Sequence, residues 1–399
     1  MSSLRVFDNK KILIFGLGKT GESVQKYLQK NKINYTIWDD YKKLQRNKID
    51  NKYYLKNYDY IIISPGIDIY NHKNKNFFIR HRKNIITDLD IFFLCNKQPK
   101  HVIGITGTNG KSSFCNLLDN LLKKKKIKSK ILGNFGNPVL SKNISKNEYC
   151  VLELSSYQLD YSQHLKLDVA CILNISSDHL ERHGTILKYK KIKLKIFKFL
   201  KKKGIGFYQK KSFPNIKKKK NIRSFKNINQ SLLNNILDTK VSISKIDFKK
   251  SKLSHRYEFF NRVNNFEFIN DSKSTNFDSV RYAVQMSNNN ILISGGELKK
   301  GDNFKLKDLR NKIFKIYLFG NNIDKLKESL INQKINFKYF KNLYDFLKDF
   351  FNSDYKILLN KREKFTVLFS PGAASFDQYQ NFEERGKIFK KYVNKFFKG

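Results

Sequence analysis

The chain has 399 residues, of which 80 are Lys or Arg and 34 are Asp or Glu, so its formal net charge is +46. This length, with 40% hydrophobic residues, predicts two or three folded domains and excludes a disordered tail or a single small module. The longest apolar runs, such as Ile12–Phe15 and Tyr60–Ile63, are far shorter than the roughly 18 residues that cross a bilayer. We therefore expect no membrane span and, because Met1–Lys11 lacks a long apolar segment, no signal peptide.

The large positive charge first suggests a nucleic-acid-binding protein, because dense basic residues neutralise phosphates. Only 12 of the 80 basic residues are Arg, although Arg is the better residue for bidentate phosphate recognition. The lysines are spread along the chain with abundant Asn and Ile, a combination that A/T-rich codons explain without a binding role. We expect no nucleic-acid partner, and a basic P-loop protein associated with nucleic acid remains the alternative from a different functional class.

Cysteine usage indicates a reducing environment. The four cysteines show no C-x-x-C pairing, which argues against a disulfide framework and against a zinc site. The expected location is the cytoplasm.

The first segment has the pattern of a small nucleotide-binding β-α-β unit. Its predicted elements are a strand at Lys11–Phe15, a glycine turn at Gly16–Gly21, a helix at Glu22–Gln29, and strands at Tyr35–Trp38 and Tyr60–Ile63. Glycines in such a turn let the backbone approach a pyrophosphate at a helix amino terminus. Because Asp39 follows the second strand and suits a ribose hydroxyl, an NAD-linked enzyme also fits this segment by itself.

A phosphate-binding loop follows the predicted strand Val102–Ile105 and leads into a helix predicted over Phe114–Leu122. The loop has the short G-x-x-G-K-S form, Gly107 to Ser112, with Ile105 where the longer pattern has Gly. Successive backbone N–H groups in such a loop bind phosphate oxygens, the lysine reaches the outer phosphates, and the hydroxyl can ligate Mg²⁺. The residues predicted to bind the nucleotide here are Thr108, Asn109, Gly110, Lys111, Ser112 and Ser113.

Two further strands carry polar residues at their carboxyl ends. The predicted strand Cys150–Leu154 contains Glu153, a carboxylate well placed to hold a metal ion bound to phosphates on the neighbouring loop. The strand Val169–Leu173 leads to a cluster of two His, two acidic residues and one Arg within Asp178–His183. This cluster predicts a functional site that includes His179.

The remainder of the chain predicts another α/β domain. Residues 201–250 are lysine-rich and weakly patterned, with a strand predicted at Gly204–Tyr208. Further predicted strands are Phe266–Ile269, Ile291–Ser294, Ile316–Phe319 and Thr366–Phe369. Strands that alternate with helices indicate a mainly parallel sheet, whose ligands collect at the carboxyl ends of the strands.

These motifs together resemble the Mur ligases. The motifs that carry the resemblance are Gly104–Ser113, Leu152–Leu159, Asn174–Gly184, Leu253–Glu258, Asn270–Asn276, Gly295–Lys299 and Ser370–Gly386. They cover nearly the whole chain in the family's order, and several are most similar to the branch of the family that adds D-glutamate. The resemblance implies an α/β fold of three domains: a Rossmann-like UDP-substrate domain (1–92), a central P-loop ATPase-like domain (93–252) and a Rossmann-like domain that closes over ATP and the amino acid (253–399).

The resemblance also implies an activity. It predicts an ADP-forming ligase that adds D-glutamate to UDP-N-acetylmuramoyl-L-alanine through an acyl phosphate, in the synthesis of peptidoglycan precursors. ATP and two Mg²⁺ ions are the implied cofactors, and a monomer is expected. Another ligase of the same superfamily, such as a folylpolyglutamate ligase or a Mur ligase specific for a different amino acid, remains an alternative.

Residue roles follow from the same resemblance. Lys111, His179 and a carbamylated Lys193 would be catalytic, and Ser112, Glu153, His179 and Lys193 would bind metal ions. Arg256 and Asp271 would contact ATP together with the phosphate loop. The implied substrate-binding residues are Gly16, Gly18, Thr20, Gly21, Asp39 and Asn134 on the UDP-sugar side, and Lys273, Lys299, Ser375 and Phe382 on the D-glutamate side.

Overall fold

The computed structural model describes residues 6–41, 52, 56–95, 99–134, 138–214, 216, 220–244, 253–298 and 304–398. These residues form two compact units. The first comprises Met1–Ile175 with Leu187–Ser251, and the second comprises Ser176–Ile186 with Lys252–Gly399. Two sheets lie in the first unit and a third sheet lies in the second.

The first sheet has four parallel strands in the order β2-β1-β3-β4. Its elements are β1 (Ile12–Phe15), α1 (Lys19–Lys30), β2 (Thr36–Trp38), β3 (Tyr60–Ile63), α2 (Lys75–Arg80), β4 (Ile85–Ile86) and α3 (Asp88–Cys95). Alternate residues of β1 enter different apolar clusters, Ile12 and Ile14 on one face and Leu13 and Phe15 on the other. Burial on both faces explains why this strand reads as a continuous apolar run.

The second sheet has six parallel strands in the order β10-β9-β8-β5-β7-β6. Its strands are β5 (His101–Thr106), β6 (Ser129–Gly133), β7 (Tyr149–Glu153), β8 (Leu167–Ile172), β9 (Leu200–Gln209) and β10 (Ile222–Phe225). The helices of this part of the chain are α4 (Lys111–Lys124), α5 (Ser156–Tyr161), α6 (Leu180–His183), α7 (Ile186–Leu194) and α8 (Gln230–Leu237). Strand β5 lies between β7 and β8, so the loop that follows β5 starts at the middle of the sheet.

The third sheet has the order β11-β12-β16-β13-β14-β15, and β11 is its antiparallel edge strand. Its strands are β11 (Glu258–Val263), β12 (Phe266–Asn270), β13 (Asn290–Gly295), β14 (Ile313–Phe319), β15 (Lys338–Phe340) and β16 (Phe365–Gly372). The helices are α9 (Phe277–Gln285), α10 (Asp324–Asn332), α11 (Leu343–Asn352), α12 (Asp354–Leu359) and α13 (Phe382–Lys398). Apolar clusters cover both faces of this sheet.

The α/β fold class predicted from the sequence is confirmed, and each predicted strand overlaps an observed one. The predicted start of the first helix at Glu22 is wrong, because α1 begins at Lys19 and includes Thr20 and Gly21. Gly21 is therefore a helix residue that lets the helix pack against the Gly16 carbonyl, where a Cβ would clash. The domain boundaries at 92 and 252 stay predictions.

The four cysteines are buried and free. Burial raises the pKa of the Cys95 thiol to about 12 and also raises the pKa values of Cys150 and Cys171. Within the described ranges, no helix is both long and apolar enough to span a membrane.

Candidate active site

The phosphate loop connects the buried strand β5 to α4, and Gly110 precedes the helix in a left-handed conformation. The side chain of Lys111 lies along the loop, where its Nζ donates to the carbonyl oxygens of Gly107 (3.0 Å) and Thr108 (2.8 Å). The amino terminus of α4 and a lysine charge are thus held at one place, an arrangement that attracts phosphate.

Asn174, two residues after the neighbouring strand β8, holds the phosphate loop. Its Oδ1 accepts from the Asn109 N–H (2.8 Å), its Nδ2 donates to the Asn109 carbonyl (2.9 Å), and its own carbonyl accepts from the Thr108 N–H (2.9 Å). A neutral side chain therefore fixes the loop backbone. This role could not be predicted from the sequence, because nothing in the local pattern shows that β5 and β8 are adjacent.

Glu153 lies at the carboxyl end of β7, next to β5, and is 2% exposed. The Ser112 hydroxyl donates to Glu153 Oε2 (2.6 Å), and the Asn134 amide donates to Glu153 Oε1 (2.9 Å). Gly133 (φ +101°) brings β6 so close to the Glu153 carbonyl that a Cβ would clash there. The three side chains predicted for the metal and the substrate are thereby brought together.

Lys193 is buried at the carboxyl end of β5. It is 1% exposed, its Nζ donates to Thr106 Oγ1 (3.1 Å), and Nζ lies 4.9 Å from the centre of the Tyr189 ring. Tyr189 in turn places its hydroxyl 3.2 Å from Thr108 Oγ1 of the phosphate loop. Lys193 is therefore a core residue although surface lysines surround it in the sequence, and its carbamylation stays a prediction.

The amino-terminal glycine loop is held by a carboxylate. Asp39 Oδ2 accepts from the Leu17 N–H (2.6 Å) and Oδ1 accepts from the Tyr41 N–H (2.9 Å). Gly16 donates its N–H to the Trp38 carbonyl (2.7 Å), and Gly18 is the residue that precedes α1. Asp39 therefore shapes the loop that carries the predicted UDP-substrate residues, in addition to the ligand contact predicted for it.

His179 belongs to the second unit, within residues 176–186. Its Nε2 lies 3.5 Å from Asp178 Oδ2 and its Nδ1 lies 3.4 Å from Glu181 Oε1. The Asn276 amide approaches the same Asp178 oxygen at 3.5 Å. Asp178, His179 and Glu181 therefore lie close together within this unit. Their role as a functional site, and the grouping of His179 with Ser112, Glu153 and Lys193, stay predictions.

Asp271 follows β12 and is 8% exposed. Burial raises the pKa of its carboxyl to about 7, although hydrogen bonds from the Ser370 hydroxyl (2.8 Å) and the Tyr257 N–H (2.9 Å) and the positive charge of Arg256 oppose this rise. Arg256 and Asp271, the pair predicted to contact ATP, thus influence one another electrostatically.

Two of the predicted D-glutamate residues, Lys273 and Phe382, meet at the start of α13. Lys273 Nζ lies 3.7 Å from the centre of the Phe382 ring, and the Ser272 hydroxyl donates to the Phe382 carbonyl (2.8 Å). Ser375, 3% exposed, follows β16 on the adjacent loop. Lys273 and Phe382 therefore share one location, and Lys299 lies outside the described residues.

Arg385 joins the two loops that carry these residues. Its guanidinium is fully buried and donates to the Ser272 hydroxyl (3.1 Å), the Ser272 carbonyl (2.9 Å) and the carbonyls of Ala373 (3.1 Å) and Ala374 (3.2 Å). Burial lowers the pKa of Arg385 to about 10. The sequence placed Arg385 inside a motif, but only the fold shows that it holds both loops.

The oxygen donors at the phosphate loop suit a hard divalent cation. Ser112 and Glu153 provide one hydroxyl and two carboxylate oxygens, the ligand type that Mg²⁺ prefers, and Glu153 is buried among neutral donors. In the described part of the chain, no group of three or more His, Cys, Asp or Glu side chains could hold a metal ion by protein ligands alone. Ser112 and Glu153 therefore suit an ion whose other ligands are oxygens of phosphate and water.

Comparison with known proteins identifies related sequences along the full length. A family profile described as "Mur ligase middle domain" matches residues 105–268. A curated relative from Francisella tularensis subsp. novicida, named UDP-N-acetylmuramoylalanine–D-glutamate ligase, is 33% identical over 98% of this chain and 98% of its own length. A relative of the same name from Rickettsia prowazekii is 32% identical over 97% of this chain and 98% of its own length.

Solved structures show the same fold at lower sequence identity. A MurF ligase from Thermotoga maritima, determined in complex with ADP, has a TM-score of 0.56 and 17% identity, covering 96% of this chain and 95% of its own. A UDP-N-acetylmuramate–alanine ligase (MurC) from the same organism has a TM-score of 0.53 and 14% identity, covering 97% and 99%. These similarities confirm the α/β architecture expected from the motifs.

Proposed function

The chain belongs to the Mur ligase family, and we propose that it is the ATP-dependent ligase that joins D-glutamate to UDP-N-acetylmuramoyl-L-alanine, releasing ADP and phosphate. The observation that carries the proposal is the 33% identity, over 98% of both chains, to a ligase named for that reaction. The product is a peptidoglycan precursor.

The reaction needs ATP because a carboxylate resists attack by an amine. The carboxylate group is anionic, so its carbon is a poor electrophile, and an oxide ion is a poor leaving group. Transfer of the γ-phosphoryl group to the alanyl carboxylate forms an acyl phosphate, breaks the bond to ADP and provides a good leaving group. The D-glutamate amine then attacks the acyl carbon, and the C–O bond to phosphate breaks. Charge that develops on phosphate and on the tetrahedral oxygen requires fixed cations and N–H donors.

The phosphate loop would bind the ATP phosphates through the residues Thr108 to Ser113. Lys111 Nζ, which donates to loop carbonyls in the structure, would move the short distance to the outer phosphates. Because Asn174 fixes the loop backbone, this movement requires no rearrangement of the N–H donors.

Ser112 and Glu153 would hold the first Mg²⁺ through the oxygens that share a hydrogen bond in the structure. A bound Mg²⁺ would neutralise negative charge on the oxygens of the phosphoryl group during its transfer. Asn134, bonded to the other Glu153 oxygen, would contact the UDP-sugar substrate and keep Glu153 in its orientation. His179 would serve a second ion or assist deprotonation of the incoming amine.

Lys193 would become a metal ligand by carbamylation. Its neutral Nζ attacks the carbon of CO₂, a C–N bond forms, one C=O electron pair moves to oxygen, and the nitrogen loses a proton. The result is a carboxylate on a long side chain. The burial of Lys193 beside Thr106 and Tyr189 supports this proposal, because burial disfavours the charged ammonium form that cannot react.

The loops of the second unit would bind D-glutamate and the nucleoside end of ATP. Lys273 and Lys299 would pair with the two carboxylates of D-glutamate, with Ser375 as a hydroxyl donor and Phe382 as an apolar wall. The Phe382 ring already lies against the Lys273 ammonium, which supports a shared role. Arg256 and Asp271 would contact ATP, with Asp271 accepting from the ribose hydroxyls.

The amino-terminal glycine loop would bind the UDP moiety. Gly16, Gly18, Thr20 and Gly21 surround the amino terminus of α1, where backbone N–H groups favour a diphosphate. Asp39, bonded to the Leu17 N–H, would keep these donors in place.

ADP release in the presence of UDP-N-acetylmuramoyl-L-alanine tests the proposal. We expect release to depend on D-glutamate, with little response to L-alanine or meso-diaminopimelate. A preference for either of these amino acids would assign a different Mur ligase activity. Stimulation by DNA, with no response to the UDP-sugar, would refute the proposal in favour of a nucleic-acid-dependent ATPase.

A further inference from the structure

Tyr161, the last residue of α5, belongs to the central part of the chain but is buried in the core of the amino-terminal sheet. Its side chain is fully buried in the apolar cluster that includes Phe15, Ile63 and Phe78. A tyrosine buried this completely needs partners for its hydroxyl.

The Tyr161 hydroxyl finds both partners in one short segment. It donates to the Ile67 carbonyl (2.8 Å) and accepts from the Ile69 N–H (3.3 Å). The hydroxyl therefore fixes the backbone that immediately follows the Ser64-Pro65-Gly66 turn at the end of β3.

This segment lies directly against the glycine loop. Gly16 has φ +91°, and a Cβ built on it would lie 2.5 Å from Ile67 Cδ1, so the Ile67 side chain covers Gly16 closely. The Ser64 hydroxyl also donates to the Gly16 carbonyl (2.8 Å). A displacement of Ile67 would therefore move or release the first residue of the loop.

At its other end, α5 is tied to the phosphate site. The helix begins at Ser156, shortly after Glu153, and a reciprocal pair of hydrogen bonds between Ser155 and Gln158 caps it. The Leu154 carbonyl accepts from Thr106 Oγ1 (2.7 Å) at the start of the phosphate loop. This helix of six residues, Ser156–Tyr161, is about 9 Å long and ends at Tyr161, so a short segment of chain connects Glu153 to Tyr161.

We propose that Tyr161 is a positioning residue, which uses its hydroxyl to fix the amino-terminal glycine loop relative to Glu153 and so sets where the UDP-sugar substrate lies. The inference rests on the proposed function, because it assigns UDP binding to that loop. Through Tyr161, a side chain of the ATP-binding part determines the geometry of the UDP-binding part.

Independent contacts hold these two parts together, so loss of the hydroxyl alone should not separate them. Asp90 Oδ1 accepts from the N–H groups of Gln163 (2.8 Å) and His164 (2.6 Å). Arg82 donates to the Asp160 carbonyl (2.6 Å). A Tyr161→Phe variant keeps the ring and all of these contacts and removes only the bonds to Ile67 and Ile69.

The test compares Tyr161→Phe with Tyr58→Phe. Tyr58 lies in the same apolar cluster, and its hydroxyl contacts Thr36 Oγ1 (3.5 Å) on β2. We expect Tyr161→Phe to raise the Kd for UDP about 5- to 20-fold, as the loss of buried hydrogen bonds implies. The Kd for a non-hydrolysable ATP analogue should change by less than about two-fold, and exchange of the Ile69 amide hydrogen should accelerate. Tyr58→Phe should show none of these changes.

Equal effects of the two variants on UDP binding, or a parallel loss of ATP-analogue binding, would overturn the inference. Failure of the wild-type protein to bind UDP would overturn it together with the assignment of the glycine loop. If the wild type binds UDP but D-glutamate does not stimulate ADP release, only the proposed function fails, because the binding and exchange measurements need no turnover.

Discussion

The two glycine loops of the first unit share a strand–loop–helix arrangement, but a charged side chain supports one loop and a neutral side chain supports the other. Each follows a buried parallel strand and precedes a helix, α1 in one case and α4 in the other. In the amino-terminal loop the carboxylate of Asp39 holds the backbone, whereas in the phosphate loop the neutral amide of Asn174 does so. The acidic side chain at the phosphate loop, Glu153, is bonded to Ser112 and Asn134 instead.

This difference matches the roles proposed for the two loops, which are UDP binding by the amino-terminal loop and phosphoryl transfer at the phosphate loop. A carboxylate that shapes a loop adds negative charge beside an anionic ligand, which is acceptable where backbone N–H groups only hold a diphosphate. Phosphoryl transfer needs a lysine and a metal-binding carboxylate at the reacting atoms. Because an uncharged residue supports the phosphate loop, Lys111 and Glu153 remain available for the roles proposed for them in phosphoryl transfer.

The largest effect should come from Lys111→Ala. Loss of the charge that stabilises the transferred phosphoryl group should reduce kcat for ADP release about 1,000-fold. Lys124→Ala, at the other end of the same helix, is the control and should retain wild-type kcat. A smaller than ten-fold loss in Lys111→Ala would contradict a phosphoryl-transfer role for this loop.

Glu153→Gln should have the second-largest effect. We expect kcat to decrease about 100-fold and the Mg²⁺ concentration needed for half-maximal activity to rise. The amide retains the shape of the side chain but removes the charge that attracts the ion. Titration of activity with Mg²⁺ measures this change, with Glu148→Gln, just before β7, as the control. An unchanged Mg²⁺ requirement would show that Glu153 is not a metal ligand.

Asn174→Ala should raise the KM for ATP about 10- to 30-fold, because the Asn109 backbone loses both side-chain hydrogen bonds. The Kd for UDP should not change. Asn221→Ala is the matched control, since Asn221 bonds the Gly204 carbonyl at an edge of the same sheet. If Asn174→Ala weakens UDP binding as much as ATP binding, the two loops are not independent.

Asp39→Ala should have the smallest effect of this series, raising the Kd for UDP about 5- to 10-fold while leaving ATP binding unchanged. Asp59→Ala is its control, because Asp59 accepts from the Lys11 N–H (2.8 Å) just before the start of β1. Tighter UDP binding in Asp39→Ala would mean that repulsion by this carboxylate outweighs its support of the Leu17 N–H.

The sequence predicted the architecture well where strands are buried on both faces. Continuous apolar runs such as Tyr60–Ile63 and the polar motifs at strand ends gave the correct order of elements. The sequence predicted the edge strand β2 but not the edge strands β4, β6, β10, β11 and β15, because an edge strand can be short and needs no continuous apolar pattern. The weakly patterned stretch after residue 200 holds β9, β10 and α8.

Site residues within one motif could be predicted, but the contacts between motifs could not. Lys193 was identified through the resemblance to the Mur ligases, and only the fold shows that it is buried against Thr106. Asn174 opens one of the recognised motifs and Tyr161 lies outside them, but the contacts of both depend on which strands and sheets are neighbours, which no local pattern shows.

The most direct test follows an isotope through the reaction. UDP-N-acetylmuramoyl-L-alanine labelled with ¹⁸O in both alanyl carboxylate oxygens is incubated with ATP and D-glutamate, and the released phosphate is analysed by mass spectrometry. We predict that the released phosphate carries one labelled oxygen, because the carboxylate oxygen that attacks the γ-phosphorus leaves with phosphate when the amine forms the amide bond. Formation of the D-glutamyl product with unlabelled phosphate would contradict the account.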